Sequence, residues 1–399
     1  MECFYRRRIS VFGVCLLGCF IAVSAQSIDR KHLSISAGGR YSHLLNGHNI
    51  YANLTGTHNY GIIDAKVGLS TLPEDSGWFE RAFNYPTFGI GLSYARMGAL
   101  NFRNDCRLGD ILNLYTWAEV NLFRTRKFRI GPLLELGLAY SGQIYDYHTN
   151  PKNKYIGAKV FALFGMGLQA EWMFAPQWAL QAGVYLTHHS NGMLRSPNEG
   201  INELSVGLGV RHYLEQRQYP AKLAEAPAKP AYAKGIHYNV FAAGGVHSCP
   251  VEMDGILASD EPERKSPALF RGVVAGEVVW RYTPIFATGI GMEVDFDANH
   301  YRQTDIILAG REDPDGYSPV RLGAYIKQEF WYRRLSIHVG AGIYMYKRCG
   351  LTEDISRTFE KIGMRYHFGK QGGLFAGLDL RAHQFDRSYS LEWALGYGF

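Results

Sequence analysis

Across residues 178–190 apolar and polar positions alternate with a period of two. Leu180, Ala182, Val184 and Leu186 hold the even positions and lead into His188 and Ser190. Gln181, Gly183, Tyr185, Thr187 and His189 hold the odd ones. Successive side chains of a strand point to opposite faces, so His188 and Ser190 extend the apolar face while the other face is polar. Further on, Asn202, Leu204, Val206, Leu208 and Val210 form another apolar face, opposite Glu203, Ser205, Gly207, Gly209 and Arg211. The alternation recurs in many segments rich in Gly, Tyr, Phe and Trp. In the first half it predicts strands near 31–43, 47–56, 60–70, 86–97, 111–123, 128–141, 155–173, 178–189 and 201–213. Alternating segments of roughly 10 residues are the signature of a transmembrane β-barrel. A secreted soluble β-sandwich alternates in the same way and is the rival architecture.

Arg6, Arg7 and Arg8 precede an apolar run from Val11 to Val23, and Val23, Ser24 and Ala25 offer small residues before Gln26. Residues 1–25 therefore read as a secretory signal peptide. Leu16-Leu17-Gly18-Cys19 also admits a lipoprotein reading, with Cys19 as the lipidated residue. Beyond this segment no apolar stretch reaches the roughly 18 residues of a spanning helix. Leu391, Trp393, Leu395, Tyr397 and Phe399 share one face of a final strand. An alternating strand ending on an aromatic resembles the signal by which the barrel-assembly machinery recognises bacterial outer-membrane barrels.

The alternation stops over 215–235, where Pro, Ala, Lys and Gln predominate and an extended linker is expected. The flanking halves look alike. Asn113 to Ala139, with its turn at Arg124-Thr125-Arg126-Lys127, resembles Gly323 to Tyr346, with its turn at Tyr332-Arg333-Arg334. Each half holds about eight strand candidates, enough for a small closed barrel. The expectation is an all-β chain. Residues 26–214 form an antiparallel outer-membrane barrel of about eight strands, and residues 236–399 a second, diverged β-barrel-like domain. One barrel with a β-domain packed beside it is the alternative; a single larger barrel is disfavoured, because the linker interrupts the meander.

Composition narrows the chemistry. Past the signal three cysteines remain, Cys106, Cys249 and Cys349, so at most one bridge forms, with Cys249 and Cys349 the candidates. No CxxC or HExxH spacing marks a metal site, and His188 and His189 point to opposite faces, so a metal shared between them is not expected. The formal charge of +6 is modest and partly belongs to the signal. It suits an anionic lipid surface and does not argue for nucleic acid. Asn53-Leu54-Thr55 matches a glycosylation sequon that a bacterial envelope protein has no use for.

On a membrane barrel His188, Ser190 and Asn202 would meet on the lipid-facing side, where polar groups are expensive and usually functional. A serine hydroxyl becomes a nucleophile when a neighbouring base takes its proton, and imidazole is the usual base near neutral pH. Residues i and i+2 lie side by side on a strand face, which places His188 beside Ser190. Asn202, on the same face of the next strand, can accept from the imidazole and orient it. Glu203 points inward unless a bulge near Gly200 brings it round. Asn191, Gly192 and Asn198 lie in the connecting loop, where their N–H groups can stabilise an oxyanion or hold substrate. The bland reading of the same residues is turn chemistry, since Ser, Asn and Gly favour turns.

At these residues the chain resembles the outer-membrane lipid A 3-O-deacylases, related to acyloxyacyl hydrolases. That family carries His-x-Ser-Asn and then Pro-Asn-x-Gly-Ile-Glu at the end of an eight-stranded barrel. His188, Ser190, Asn191, Pro197, Asn198, Gly200 and Ile201 match in type and spacing. The resemblance covers roughly residues 27–214 and is specific within 188–202. It implies an outer-membrane serine esterase that removes an ester-linked acyl chain from lipid A, with lipopolysaccharide as its partner and no cofactor. Ser190 would be the nucleophile, His188 the base and Asn202 the orienting residue, with Glu203 adjacent. The family's acidic triad residue falls on Asn202, an amide. Aligning Gly183 with Gly377 puts Ala382, His383 and Gln384 opposite His188, His189 and Ser190, so the second half lacks base and nucleophile. Two rivals stand beside the esterase: a catalytically inert barrel serving as scaffold or small pore, and an acyltransferase using the same serine.

Overall fold

The computed structural model describes residues 29–45, 56–74, 77–102, 106–146, 148–216, 232, 234–248, 268–298, 318–348, 356–369, 373–383 and 387–399. The signal peptide, the Cys19 lipidation site, the Asn53 sequon, the Cys249–Cys349 bridge, Gln384 and nearly all of the linker lie outside the described residues. So does most of the strand expected at 47–56.

The first half runs through β1 (Leu33–Leu45), β2 (Asn59–Ser70), β3 (Thr87–Ala95), β4 (Ile111–Glu119), the two-residue β5 (Phe123–Arg124), β6 (Phe128–Ser141), β7 (Val160–Ala175), β8 (Trp178–Ser190) and β9 (Ile201–Tyr213). Neighbours pair antiparallel. β1 joins β9 and β4 joins β6 directly, so eight strands close a barrel and β5 hangs on its rim. The second half closes another barrel from β10 (Gly235–Ser248), β11 (Ala268–Arg281), β12 (Phe286–Asp297), β13 (Val320–Tyr332), β14 (Leu335–Tyr346), β15 (Thr358–His367), β16 (Gly373–His383) and β17 (Arg387–Gly398). The chain packs as two compact units, each holding one barrel, and the loops 144–158 and 190–200 fall in the second.

Two expected strands differ at their ends. The strand expected at 111–123 stops at Glu119, where the Asn121 side chain turns back to donate to the Asn84 and Tyr85 carbonyls. The strand expected at 155–173 begins only at Val160. Asn153 Oδ1 accepts the N–H groups of Tyr155 (3.2 Å) and Ile156 (3.4 Å), a local turn that competes with the ladder.

Both barrels are inside out relative to a soluble protein. On β8 and β9 the even positions Leu180, Val184, Leu186, Leu204, Val206, Leu208 and Val210 are exposed, and Leu208 keeps 66% of its surface. The first interior holds Arg40 against Glu135 (2.5 Å), Arg129 against Glu171 (2.9 Å) and Arg211 between Glu119 (3.0 Å) and Glu171 (2.8 Å). Tyr115, Trp117, Leu133, Leu163 and Tyr185 pack among them. In the second, Glu277 meets Lys327 (2.6 Å) and Arg365 (2.7 Å), and Arg381 meets Glu293 (2.6 Å). Charges can be buried when paired, and an eight-stranded barrel is just wide enough for side chains to fill. An apolar surface around a charged interior is that of a transmembrane barrel, and it sets aside the soluble sandwich. Gly137 shows how tight the wall is: a Cβ there would stand 2.2 Å from the Leu114 carbonyl oxygen.

Candidate active site

The ladder between β8 and β9 fixes which side chains meet. It runs without interruption from Trp178↔His212 to His189↔Ile201, with His188 opposite Asn202 and Thr187 opposite Glu203. No bulge intervenes. Asn202 is therefore on the exterior and His188 half-buried beside it, with His188 Nδ1 2.7 Å from Asn202 Oδ1. An amide oxygen can only accept, so Nδ1 carries the proton and Nε2 presents its lone pair. That is the tautomer a general base requires.

The neighbouring positions go inward. His189 is fully buried, with Nε2 3.0 Å from Asn113 Oδ1. Glu203 keeps 2% of its surface and accepts the Tyr60 hydroxyl inside the barrel. The placement keeps Glu203 off the face of His188, as strict alternation demands. Tyr60 and Asn113 were invisible to sequence reasoning, because their roles depend on strand register.

At the end of β8 the chain enters the loop 191–200. Ser190 Oγ accepts from Asn198 Nδ2 (2.8 Å) and from the Gly192 N–H (3.1 Å). The Asn191 N–H donates to Asn198 Oδ1 (2.8 Å), and Asn191 Nδ2 to the Arg195 carbonyl (2.7 Å). Asn198 is thus held through its oxygen while its Nδ2 donates to the Ser190 hydroxyl. Gly192 has φ +61° and Gly200 φ +76°, the left-handed conformation that favours glycine. A second loop braces this one: the N–H groups of Glu199 and Gly200 donate to the carbonyls of Lys154 and Tyr155, both at 3.1 Å.

All of the expected loop residues, Asn191, Gly192 and Asn198, thus gather at Ser190, while Asn202 gathers at His188. Ser190 follows His188 by two residues at the end of β8, past the last pair of the ladder, and is buried where the expectation had it facing lipid, because the loop 191–200 folds over it. Among the described residues no hydrogen bond joins the His188 ring to the Ser190 hydroxyl, which is instead held by its two loop donors. Also among the described residues, no three His, Cys, Asp or Glu side chains converge as a metal-binding group.

In the second barrel, His383 on β16 lies inside, its Nε2 3.1 Å from the Tyr344 hydroxyl. It is a satisfied interior residue.

Comparison with known proteins places two family domains in tandem. Residues 65–211 match the lipid A 3-O-deacylase (PagL) family, and residues 236–399 match the acyloxyacyl hydrolase C-terminal domain. No curated protein matches the sequence. Among solved structures, the outer membrane enzyme PagL is 15% identical, with 44% of this chain and 97% of that one covered and a TM-score of 0.29. Neisserial surface protein A is 10% identical, covering 46% and 97%, at a TM-score of 0.30. The beta domain of the Bordetella autotransporter BrkA is 11% identical, covering 92% and 98%, at 0.25.

Proposed function

With residues 65–211 forming a lipid A 3-O-deacylase family domain, we propose that the first barrel hydrolyses an ester-linked acyl chain of lipid A from the lipid side of its wall. The observation that carries this reading is the His188–Asn202 hydrogen bond of 2.7 Å on the barrel exterior, two residues from a serine held by two N–H donors. In this reading His188 Nε2 takes the Ser190 proton as Oγ bonds to the acyl carbonyl carbon. The carbonyl oxygen becomes an oxyanion, for which the Asn198 amide and the Gly192 N–H are the nearby donors. Collapse expels the sugar oxygen, which takes the proton from His188. Water then attacks the acyl-enzyme, giving one proton to His188, and a free fatty acid leaves as Ser190 regains its hydrogen. Ser190 exchanges its loop donors for the imidazole on the way, since catalytic hydrogen bonds often tighten only with substrate bound.

Asn202 stands where the family has a carboxylate. It orients the ring but adds no charge opposite the imidazolium. The chain's site is the outer membrane, with insertion by the barrel-assembly machinery, and the second barrel is non-catalytic.

Product analysis tests the reaction class. Full-length protein in detergent with lipid A should release free fatty acid, and Ser190→Ala should release none while remaining a heat-modifiable barrel. Transfer of the acyl group to an added lipid would make the protein an acyltransferase. The absence of any product would leave an inert barrel.

A further inference from the structure

The lipid-facing wall of the first barrel carries a second imidazole held in the same way as the first. His43 Nδ1 on β1 lies 2.7 Å from Asn59 Oδ1 on β2, the same atom pair and the same length as His188 and Asn202. His58 stacks on the His43 ring at 5.5 Å with planes 14° apart. All three side chains are half-buried. His43 pairs with Asn59 on one side and with Leu204 on the other, while Leu45 pairs with Asn202. His43 is thus one strand over and two residues along from Asn202, which puts their backbones about 8 Å apart. The match to the deacylase family begins at residue 65, beyond these three residues.

Packing does not explain this pair. The surrounding exterior positions are Tyr41, Ile63 and Leu204, all exposed, and an apolar pair at 43 and 59 would meet lipid at no desolvation cost. Polar groups facing lipid are expensive and mark function. The Asn59 oxygen fixes the Nδ1 proton of His43 and leaves Nε2 as an acceptor. Among the described residues Nε2 takes no hydrogen bond. No serine follows His43 on its face, so the pair is not a second catalytic centre. An outward acceptor beside the Asn202 imidazole pair suits a hydroxyl donor on the polar part of a membrane amphiphile.

We propose that His43, oriented by Asn59 and backed by His58, binds a sugar hydroxyl of the glycolipid whose ester is cleaved at Ser190. This inference rests on the deacylase reading for the identity of the ligand. It makes His43 a specificity determinant, distinguishing an acylated sugar from a simple acyl ester.

The test has two arms, both in the full-length, detergent-solubilised protein. In a Ser190→Ala background, which cannot turn over, adding His43→Leu should raise the Kd for lipid A about tenfold, and Asn59→Leu should act in the same direction. With Ser190 present, His43→Leu should lower the ratio of kcat/KM for lipid A to that for a p-nitrophenyl ester of the same acyl chain, again about tenfold. Leucine on the lipid face does not threaten folding, and heat modifiability checks it. Unchanged affinity for lipid A, or an unchanged ratio, overturns the inference. Dephosphorylated lipid A should show the same dependence on His43; dependence that disappears with the phosphates would assign the contact to an anion and overturn the hydroxyl assignment. Failure of the deacylase reading is separately visible, as wild-type protein that releases no fatty acid, and the binding arm still decides on His43.

Discussion

An amide at position 202 accepts the Nδ1 proton of His188 but brings no charge to meet the imidazolium that forms in the proposed reaction. Misoriented histidines lose orders of magnitude in rate, so Asn202→Ala should lower kcat by about 10²-fold or more. Asn202→Glu should keep activity or raise it, because a carboxylate both orients the ring and stabilises its charge. Glu203→Gln should be mild in catalysis, since residue 203 points inward to Tyr60. Tyr60→Phe, which removes the donor and leaves a buried carboxylate oxygen unsatisfied, should destabilise the barrel by roughly 1–3 kcal/mol. Steady-state kinetics and thermal unfolding in detergent check these. Silence at Asn202→Ala together with loss at Glu203→Gln would mean that the pairing of β8 with β9 is shifted by one residue. The facing of His188, Asn202 and Glu203 was legible because a two-residue period is strict wherever one face is apolar. Their inward partners were not, since Tyr60 and Asn113 reach Glu203 and His189 only through the closure of the barrel.

Strands and loops differed in legibility for a physical reason. β1, β2, β6, β8 and β9 fall within a few residues of their expected bounds, because alternation between lipid and a charged interior writes itself along the whole strand. Loop segments carry no such period. Tyr155 and Ile156 are apolar and were read into a strand, yet the Asn153 side chain captures their N–H groups. This braced loop holds Glu199 and Gly200 by backbone bonds, next to Asn198. Asn153→Ala should therefore loosen the donor at Ser190 without disturbing the strands. The expected result is a fall in kcat of about tenfold with little change in unfolding temperature; an equal loss in both would mean that the loop is part of the barrel's stability. Asn198→Ala should cost more, about 10²-fold in kcat, as removal of an oxyanion donor does. At the wall, Gly137→Val should prevent closure between β4 and β6, read as loss of heat modifiability, because its Cβ has no room beside the Leu114 carbonyl.

The molecule as a whole repeats one architecture, and the proposed chemistry lies in one copy. Each barrel hides charge and shows hydrocarbon, so each is suited to lipid, and the first carries His188 and Ser190 two residues apart at the end of β8. Ala382 stands at the matching position in the second, and His383 is committed inside to Tyr344. The duplication was visible from the linker and the shared strand patterns; what the second barrel contributes was not, because a filled interior carries no chemical signature in sequence. In the full chain, Ser190→Ala should leave no residual deacylation, and residual fatty-acid release would place a second site in the other barrel. The most direct test of the central claim is mass spectrometry of lipid A from Gram-negative cells producing the wild-type chain or Ser190→Ala. On the proposed mechanism the wild type yields lipid A lighter by one ester-linked acyl chain and the variant yields lipid A of full mass. Lipid A of full mass in both, with folded barrel present in the outer membrane, would contradict it.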